Sequence, residues 1–322
     1  MINLSKLKIN GRYIFKDDHL FIFNGGSSIS FKTRGTNFVI SLESSPIPTY
    51  YYIIIDRDYD SKIKLDTSKP YKYSFNDKGV HYVDVIKANE ANDCTLKLLD
   101  LTIDGELLDY DHIYDKRVKV YGDSTVAGFG ILGHDGVGSY LNSDSVKDFV
   151  YQALYKLNYE MDILSSSGWG LAFSIYTCPK HRGIIDFIDK VAVNKLNDWK
   201  DHSIYDLLII SLGTNDDSYI QETPHLFEIN KKEYINKYKE LIDHELAINP
   251  NIKILMVYGT LKEENAYYLN EETYEALKPL YKNLYIHKFN GDNSAISHHA
   301  YVDHHSLMSK ELEQVIKQIF NK

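Results

Sequence analysis

The sequence predicts two unlike parts in series: an antiparallel β-sandwich over residues 1–112, then a doubly wound parallel α/β sheet over residues 113–322. Three observations carry this. The chain has 322 residues, more than a single core usually serves. Its first third is broken into short alternating runs with no helical period. From residue 116 onward, near-continuous apolar runs alternate with amphipathic stretches.

In the first part, Phe38, Ile40 and Leu42 alternate with Val39 and Ser41. Tyr71, Tyr73 and Phe75 alternate with Lys72 and Ser74, and His81, Val83 and Val85 with Tyr82 and Asp84. A period of two puts each set on one face of a strand. Turn signals punctuate the runs at Asn24-Gly25-Gly26, Arg34-Gly35-Thr36, Asn76-Asp77-Lys78-Gly79 and Asp104-Gly105. Pro46 and Pro48 belong in a loop or on a sheet edge, where no ladder donor is needed.

In the second part, strands are expected at 117–121, 161–165, 207–212, 252–258 and 284–288. Helices are expected between them at Val146 to Leu157, Ile184 to Leu196 and Tyr234 to Leu246, with Leu307 to Phe320 closing the chain. Strands buried on both faces read as unbroken apolar runs, and ligands of such sheets bind at the carboxyl ends of the strands.

Composition narrows the function classes. A net charge of -9 offers no basic face for nucleic acid or an anionic membrane. No run of 18 apolar residues exists to form a spanning helix. Cys94 and Cys178 match no metal spacing and are expected as buried thiols. The start, Met1 to Lys6, has no apolar leader, so a cytoplasmic location is expected, or secretion if a leader has been removed.

Three motifs fall on the predicted carboxyl edge. Gly122-Asp123-Ser124-Thr125 follows the first parallel strand, where small residues open the backbone and expose a hydroxyl. A serine nucleophile needs a base, a group to orient that base, and donors for the oxyanion. Ser124's own N–H, the bare backbone of Gly168 in Ser165-Ser166-Ser167-Gly168-Trp169-Gly170, and the amide of Asn215 in Gly213-Thr214-Asn215-Asp216 supply the donors. His305 is the expected base. Asp303, two residues earlier in an extended segment, projects to the same side and is the expected orienting carboxylate. The pairs His298-His299 and His304-His305 lack the acidic or cysteine partners of a metal site, so no metal or other cofactor is expected. Gly-x-Ser-x-Gly is absent, which disfavours the α/β-hydrolase arrangement.

The set Gly122-Asp123-Ser124, Gly168, Gly213-x-Asn215-Asp216 and Asp303-x-His305 resembles the four blocks of the SGNH, or GDSL-like, hydrolases. The first part adds Gly11-Arg12-Tyr13, Gly35-Thr36, Gly79-Val80-His81 and Asp104-Gly105, a pattern similar to carbohydrate esterase family 2. That resemblance implies a jelly-roll sandwich ahead of a flavodoxin-like SGNH domain, and metal-free removal of O-acetyl groups from sugars. It implies acetylated xylo-, manno- or gluco-oligosaccharides or glycosides as substrate, with Trp169 and Asp216 expected to bind it. Two departures stand out. Ser306 replaces the usual proline after the histidine, and Asp303-x-His305 is one residue shorter than the common Asp-x-x-His. Some family 2 esterases orient the histidine through a backbone carbonyl instead.

Rival readings are a GDSL-type lipase or thioesterase, with Phe129, Ile131 and Leu132 lining an acyl slot, and a sugar O-acyltransferase using the same machinery. A carbohydrate-binding protein without activity is disfavoured by the intact Ser124, Asn215 and His305.

Overall fold

The structure, a computed structural model, describes residues 4–133, 138–175, 182–201, 203–261 and 265–321; Cys178 lies outside them. Cys94 is buried as a free thiol.

The first domain is antiparallel throughout. Its strands are β1 (Lys8–Asn10), β2 (Tyr13–Lys16), β3 (His19–Ile22), β4 (Ser28–Ser45) and β5 (Tyr50–Ile55). They continue with β6 (Ile63–Asp66), β7 (Tyr71–Ser74), β8 (Val80–Lys87) and β9 (Thr95–Leu108). The long strands β4 and β9 pair along their length, and β4 also pairs with β1, β7 and β8, so the sheet folds around one apolar core. Ile29 and Phe31 face that core from one half of β4, and Phe38, Ile40 and Leu42 from the other. Inward positions therefore change from odd to even. A bulge at Gly35/Asn37 inserts Thr36 and makes the change possible. A Cβ at Gly35 would strike the Asp104 carbonyl oxygen, and one at Gly105, at φ +136°, that of Arg34. Two strands approach here too closely for any side chain.

The second domain has five parallel strands: β10 (Lys116–Gly122), β11 (Tyr159–Ser165), β12 (Leu207–Ser211), β13 (Lys253–Tyr258) and β14 (Leu284–Lys288). Their spatial order is β11-β10-β12-β13-β14, so the chain reverses direction beside β10. Its helices are α1 (Ser124–Ala127), α2 (Phe149–Lys156), α3 (Thr214–Glu222), α4 (Phe227–Ile248), α5 (Asn265–Leu277) and α6 (Val302–Ile319). Val118, Val120, Ile209 and Leu255 pack towards α2 and α6, and Leu208, Ile210, Ile254 and Met256 towards α4 and α5. The sandwich joins the first of these faces through Tyr52, Ile54, Ile86 and Ala88.

Two expected elements differ. Between Ile184 and Leu196 only Ile184–Phe187 forms a short 3-10 turn. Its downstream carbonyls are taken by the other domain: Arg12 donates to those of Ile188 and Lys190, at 2.8 and 2.7 Å, and Asn24 to that of Val191 at 2.9 Å. The last helix begins at Val302 rather than Leu307, which turns the expected extended segment at 303–305 into helix.

Arg12 is fully buried, and its Nε also donates to both Asp162 oxygens, at 3.1 and 3.2 Å. One guanidinium fork thus ties the sandwich to β11 and to the 188–191 segment. Arg12→Leu should cost about 3–5 kcal/mol of stability, because it strands a buried carboxylate. Arg12→Lys should recover only part of this, since an ammonium cannot reproduce the fork. Urea unfolding measures both; a loss below about 1 kcal/mol for the leucine variant would contradict the assigned role.

Candidate active site

Gly122 lies in register with Ser165 on one side and Ser211 on the other, which brings the ends of β11, β10 and β12 level. The ladder extends past the strands, as the Ser166 N–H donates to the Gly122 carbonyl at 3.2 Å and the Asp123 N–H to that of Ser211 at 3.3 Å. The three loops carrying Ser124, Gly168 and Asn215 therefore leave the sheet side by side. Asp123 caps α1, its Oδ1 accepting the Thr125 N–H at 3.0 Å and the Thr125 hydroxyl at 2.9 Å. This starts the helix at Ser124, which is 8% exposed.

Gly168 adopts φ +79°, the left-handed region that glycine enters freely. Around it, Trp169 N–H donates to the Ser166 carbonyl at 3.3 Å, Gly170 N–H to that of Phe173 at 2.9 Å, and Ile175 N–H to that of Gly168 at 3.0 Å. Among the described residues no acceptor takes the Gly168 N–H. Asn215 Nδ2 donates to the Trp169 carbonyl at 3.2 Å, which fixes the amide and leaves its second hydrogen for a ligand. Asn215→Ala should lower kcat by about 100-fold or more with little change in KM, because an oxyanion donor is felt mainly in the transition state. A loss seen mainly in KM would make Asn215 a ground-state binding group instead.

The histidine that meets the serine is His299. Its Nε2 lies 2.7 Å from Ser124 Oγ, and its Nδ1 lies 2.9 Å from the Ser297 carbonyl oxygen. A carbonyl can only accept, so Nδ1 carries the hydrogen and Nε2 presents a lone pair to the serine hydroxyl. Ser297 and His298 both sit at positive φ, 53° and 61°, a strained turn that folds the carbonyl of residue 297 back onto the ring of residue 299. The segment is held in place by bonds from Ile296 N–H to the Gly133 carbonyl and from Val302 N–H to that of Ile131, both 3.1 Å. Burial pushes the His299 pKa below its ordinary 6.5, against hydrogen bonds to the backbone of Ser297 and Ile296 that raise it. The Phe129 ring stands edge-on to it at 5.1 Å.

His305 and Asp303 do not form the expected pair. Both lie in α6, where residues two apart point about 200° from each other. Asp303 is exposed. His305 is 2% exposed and its Nδ1 accepts the Phe149 N–H at 3.2 Å, satisfying a first-turn donor of α2. Burial, with the neighbouring His299 and His304 adding to it, lowers its pKa to about 3. It is a neutral packing residue. Its place was readable in the sequence, because residues 305, 308, 309, 312, 316 and 319 follow the helical period and form the buried stripe of α6.

The two expected substrate-binding residues also have other employment. Asp216 is fully buried, and its oxygens accept the N–H groups of Leu171, Ala172 and Phe173 at 2.7, 2.8 and 2.9 Å. Burial pushes its carboxyl up to about 7, while those three amides pull it down. Trp169 is 4% exposed and packs edge-on against Phe187, with centroids 5.4 Å apart, so no open face remains for a sugar ring. Sequence reading missed His299, the Ser297 carbonyl and Glu90, whose Oε2 accepts the Ser167 N–H at 2.8 Å from the sandwich side.

Residues 9–110 match the family model described as carbohydrate esterase 2 N-terminal. No curated protein sequence matches the chain. A family two carbohydrate esterase from Clostridium thermocellum, solved in complex with cellohexaose, is similar over 98% of this chain and 99% of its own, with TM-score 0.84 and 19% identity. An acetyl xylan esterase from the rumen bacterium Butyrivibrio proteoclasticus is similar over 99% and 97%, with TM-score 0.85 and 18% identity. A salicylyl-acyltransferase from a tetracycline biosynthetic pathway is similar over 98% and 95%, with TM-score 0.68 and 10% identity. The chain thus matches the N-terminal model of carbohydrate esterase family 2 over residues 9–110 and has the two-domain fold of solved family two esterases.

Proposed function

We propose that the chain is a serine esterase that removes O-acetyl groups from carbohydrates through an acetyl-enzyme on Ser124. The observation that carries this is the 2.7 Å contact between Ser124 Oγ and His299 Nε2, with Nδ1 of the same ring tied to a carbonyl. His299 takes the serine proton as Oγ attacks the acetyl carbon. The oxyanion forms against the Gly168 N–H and the Asn215 amide. Collapse breaks the ester bond, and His299 returns the proton to the departing sugar hydroxyl. Water then attacks the acetyl-enzyme with His299 again as base, releasing acetate and restoring Ser124. The Ser297 carbonyl does the orienting work expected of Asp303, and it favours the imidazolium that forms in each half-reaction.

Carbohydrate as the leaving group is supported by the family match of the first domain and by the cellohexaose and acetyl xylan esterase relatives. Acetate release from a panel of acetylated xylo-, manno- and gluco-oligosaccharides tests the proposal. A nitrophenyl ester series should fall steeply between acetate and butyrate. A second reading follows from the acyltransferase relative: a sugar hydroxyl replaces water in the second half-reaction. Acyl transfer to an added sugar, with little free acetate, would favour that reading over hydrolysis.

A further inference from the structure

The loop from Ala88 to Cys94, between β8 and β9, crosses from the sandwich to the segment bearing Gly168. Glu90 on this loop is 4% exposed, and its Oε2 accepts the Ser167 N–H at 2.8 Å. The Asn92 amide donates to the Ser166 hydroxyl at 2.7 Å. The loop is itself pinned. Lys87 Nζ, fully buried, donates to the carbonyls of Glu90, at 3.1 Å, and of Asn89. The Asn89 side chain accepts the Tyr50 N–H at 2.9 Å and donates to the Tyr140 carbonyl at 2.7 Å.

From the other side, Asp216 holds the amides of residues 171–173. Two buried carboxylates, one from each domain, thus grip the same stretch of backbone with Gly168 between them. The Gly168 N–H belongs to the peptide joining Ser167 and Gly168. The peptide before it is held by Glu90, and the peptide after it by the bonds from Trp169 N–H to Ser166 and from Ile175 N–H to Gly168. With both neighbours fixed, that peptide plane has little freedom to tilt.

We infer that Glu90 is a positioning residue of the esterase: through Ser167 the sandwich domain sets the direction of the Gly168 N–H at the oxyanion. This rests on the reading of Gly168 as an oxyanion donor. It makes the first domain part of the catalytic apparatus without touching the reacting atoms. What the position requires is a hydrogen-bond acceptor. Burial and the nearby Asp93 push the Glu90 carboxyl up to about 7, against the Ser167 N–H and Lys87, so a neutral acceptor of the same shape should serve as well.

The test uses the whole chain and nitrophenyl acetate, with active sites counted from the burst of nitrophenol. Glu90→Leu should lower kcat about 10- to 100-fold with KM within about twofold, since small misplacements of an oxyanion donor are costly. Glu90→Gln, which keeps an acceptor oxygen, should stay within about threefold of wild type. Asn92→Ala, at an exposed position, should fold normally and lose about 3- to 10-fold in kcat. Glu90→Leu at undiminished kcat, a loss expressed equally in KM, or a glutamine variant no better than leucine would overturn the inference. If Glu90→Leu does not fold, Asn92→Ala at wild-type kcat overturns it instead. Absence of any burst in the wild type is a different result, which removes the esterase reading itself.

Discussion

Ser124→Ala should abolish turnover, by roughly the million-fold that accompanies loss of a triad nucleophile. The contrast with stability makes the result diagnostic. Ser124 is the first residue of α1, whose cap is supplied by Asp123, and alanine is a good helix former. The fold of the variant should therefore survive, and urea unfolding should change by less than about 1 kcal/mol. Rapid quenching of the wild type with an activated acetate should leave an acetyl group on the Ser124 peptide, and the variant should show none. A variant that keeps a tenth of the wild-type rate would remove Ser124 from the mechanism and with it the acyl-enzyme.

The legibility of this chain divides along a physical line. The five parallel strands were readable to within a few residues, because strands covered on both faces read as near-continuous apolar runs. The positions of Ser124 and Asn215 at the sheet edge were readable for a related reason: each stands just past such a strand, where the backbone turns out of the sheet. Misreadings arose where contacts between segments far apart in sequence decide the outcome. The 184–196 segment has helical spacing, yet Arg12 and Asn24 satisfy carbonyls that a helix would have used. Asp216 looked like a site carboxylate because of its neighbour, but its oxygens face three amides of the adjoining loop. A contact between residues 77 apart, such as that of Glu90 with Ser167, leaves no periodic trace at either end. The histidine was a different kind of error. Asp303-x-His305 fits an extended pair, but the buried stripe of α6 runs through His305, and helical spacing outranks a two-residue motif.

That error yields the sharpest remaining prediction, because two neighbouring histidines should fail in opposite ways. His299→Ala should approach the loss of Ser124→Ala, about a million-fold in kcat, with stability close to wild type, since the ring is only half-buried. His305→Ala should keep most of the chemistry and lose stability by about 2 kcal/mol or more, from the cavity and from the Phe149 N–H left without its acceptor. The pH dependences separate them further. Activity should fall on the acid side with a midpoint below 6.5, because burial lowers the His299 pKa and the protonated ring has no lone pair for the serine proton. Stability should fall as well on acidification, for a different reason. The unfolded chain protonates residue 305 near 6.5, whereas the folded chain resists until about 3, so protons favour unfolding throughout that window. His305→Ala should remove that part of the acid sensitivity and leave the activity midpoint unmoved. A His305→Ala variant that is stable but inactive, beside a His299→Ala variant that retains a tenth of wild-type turnover, would return the base to α6 and overturn the dyad.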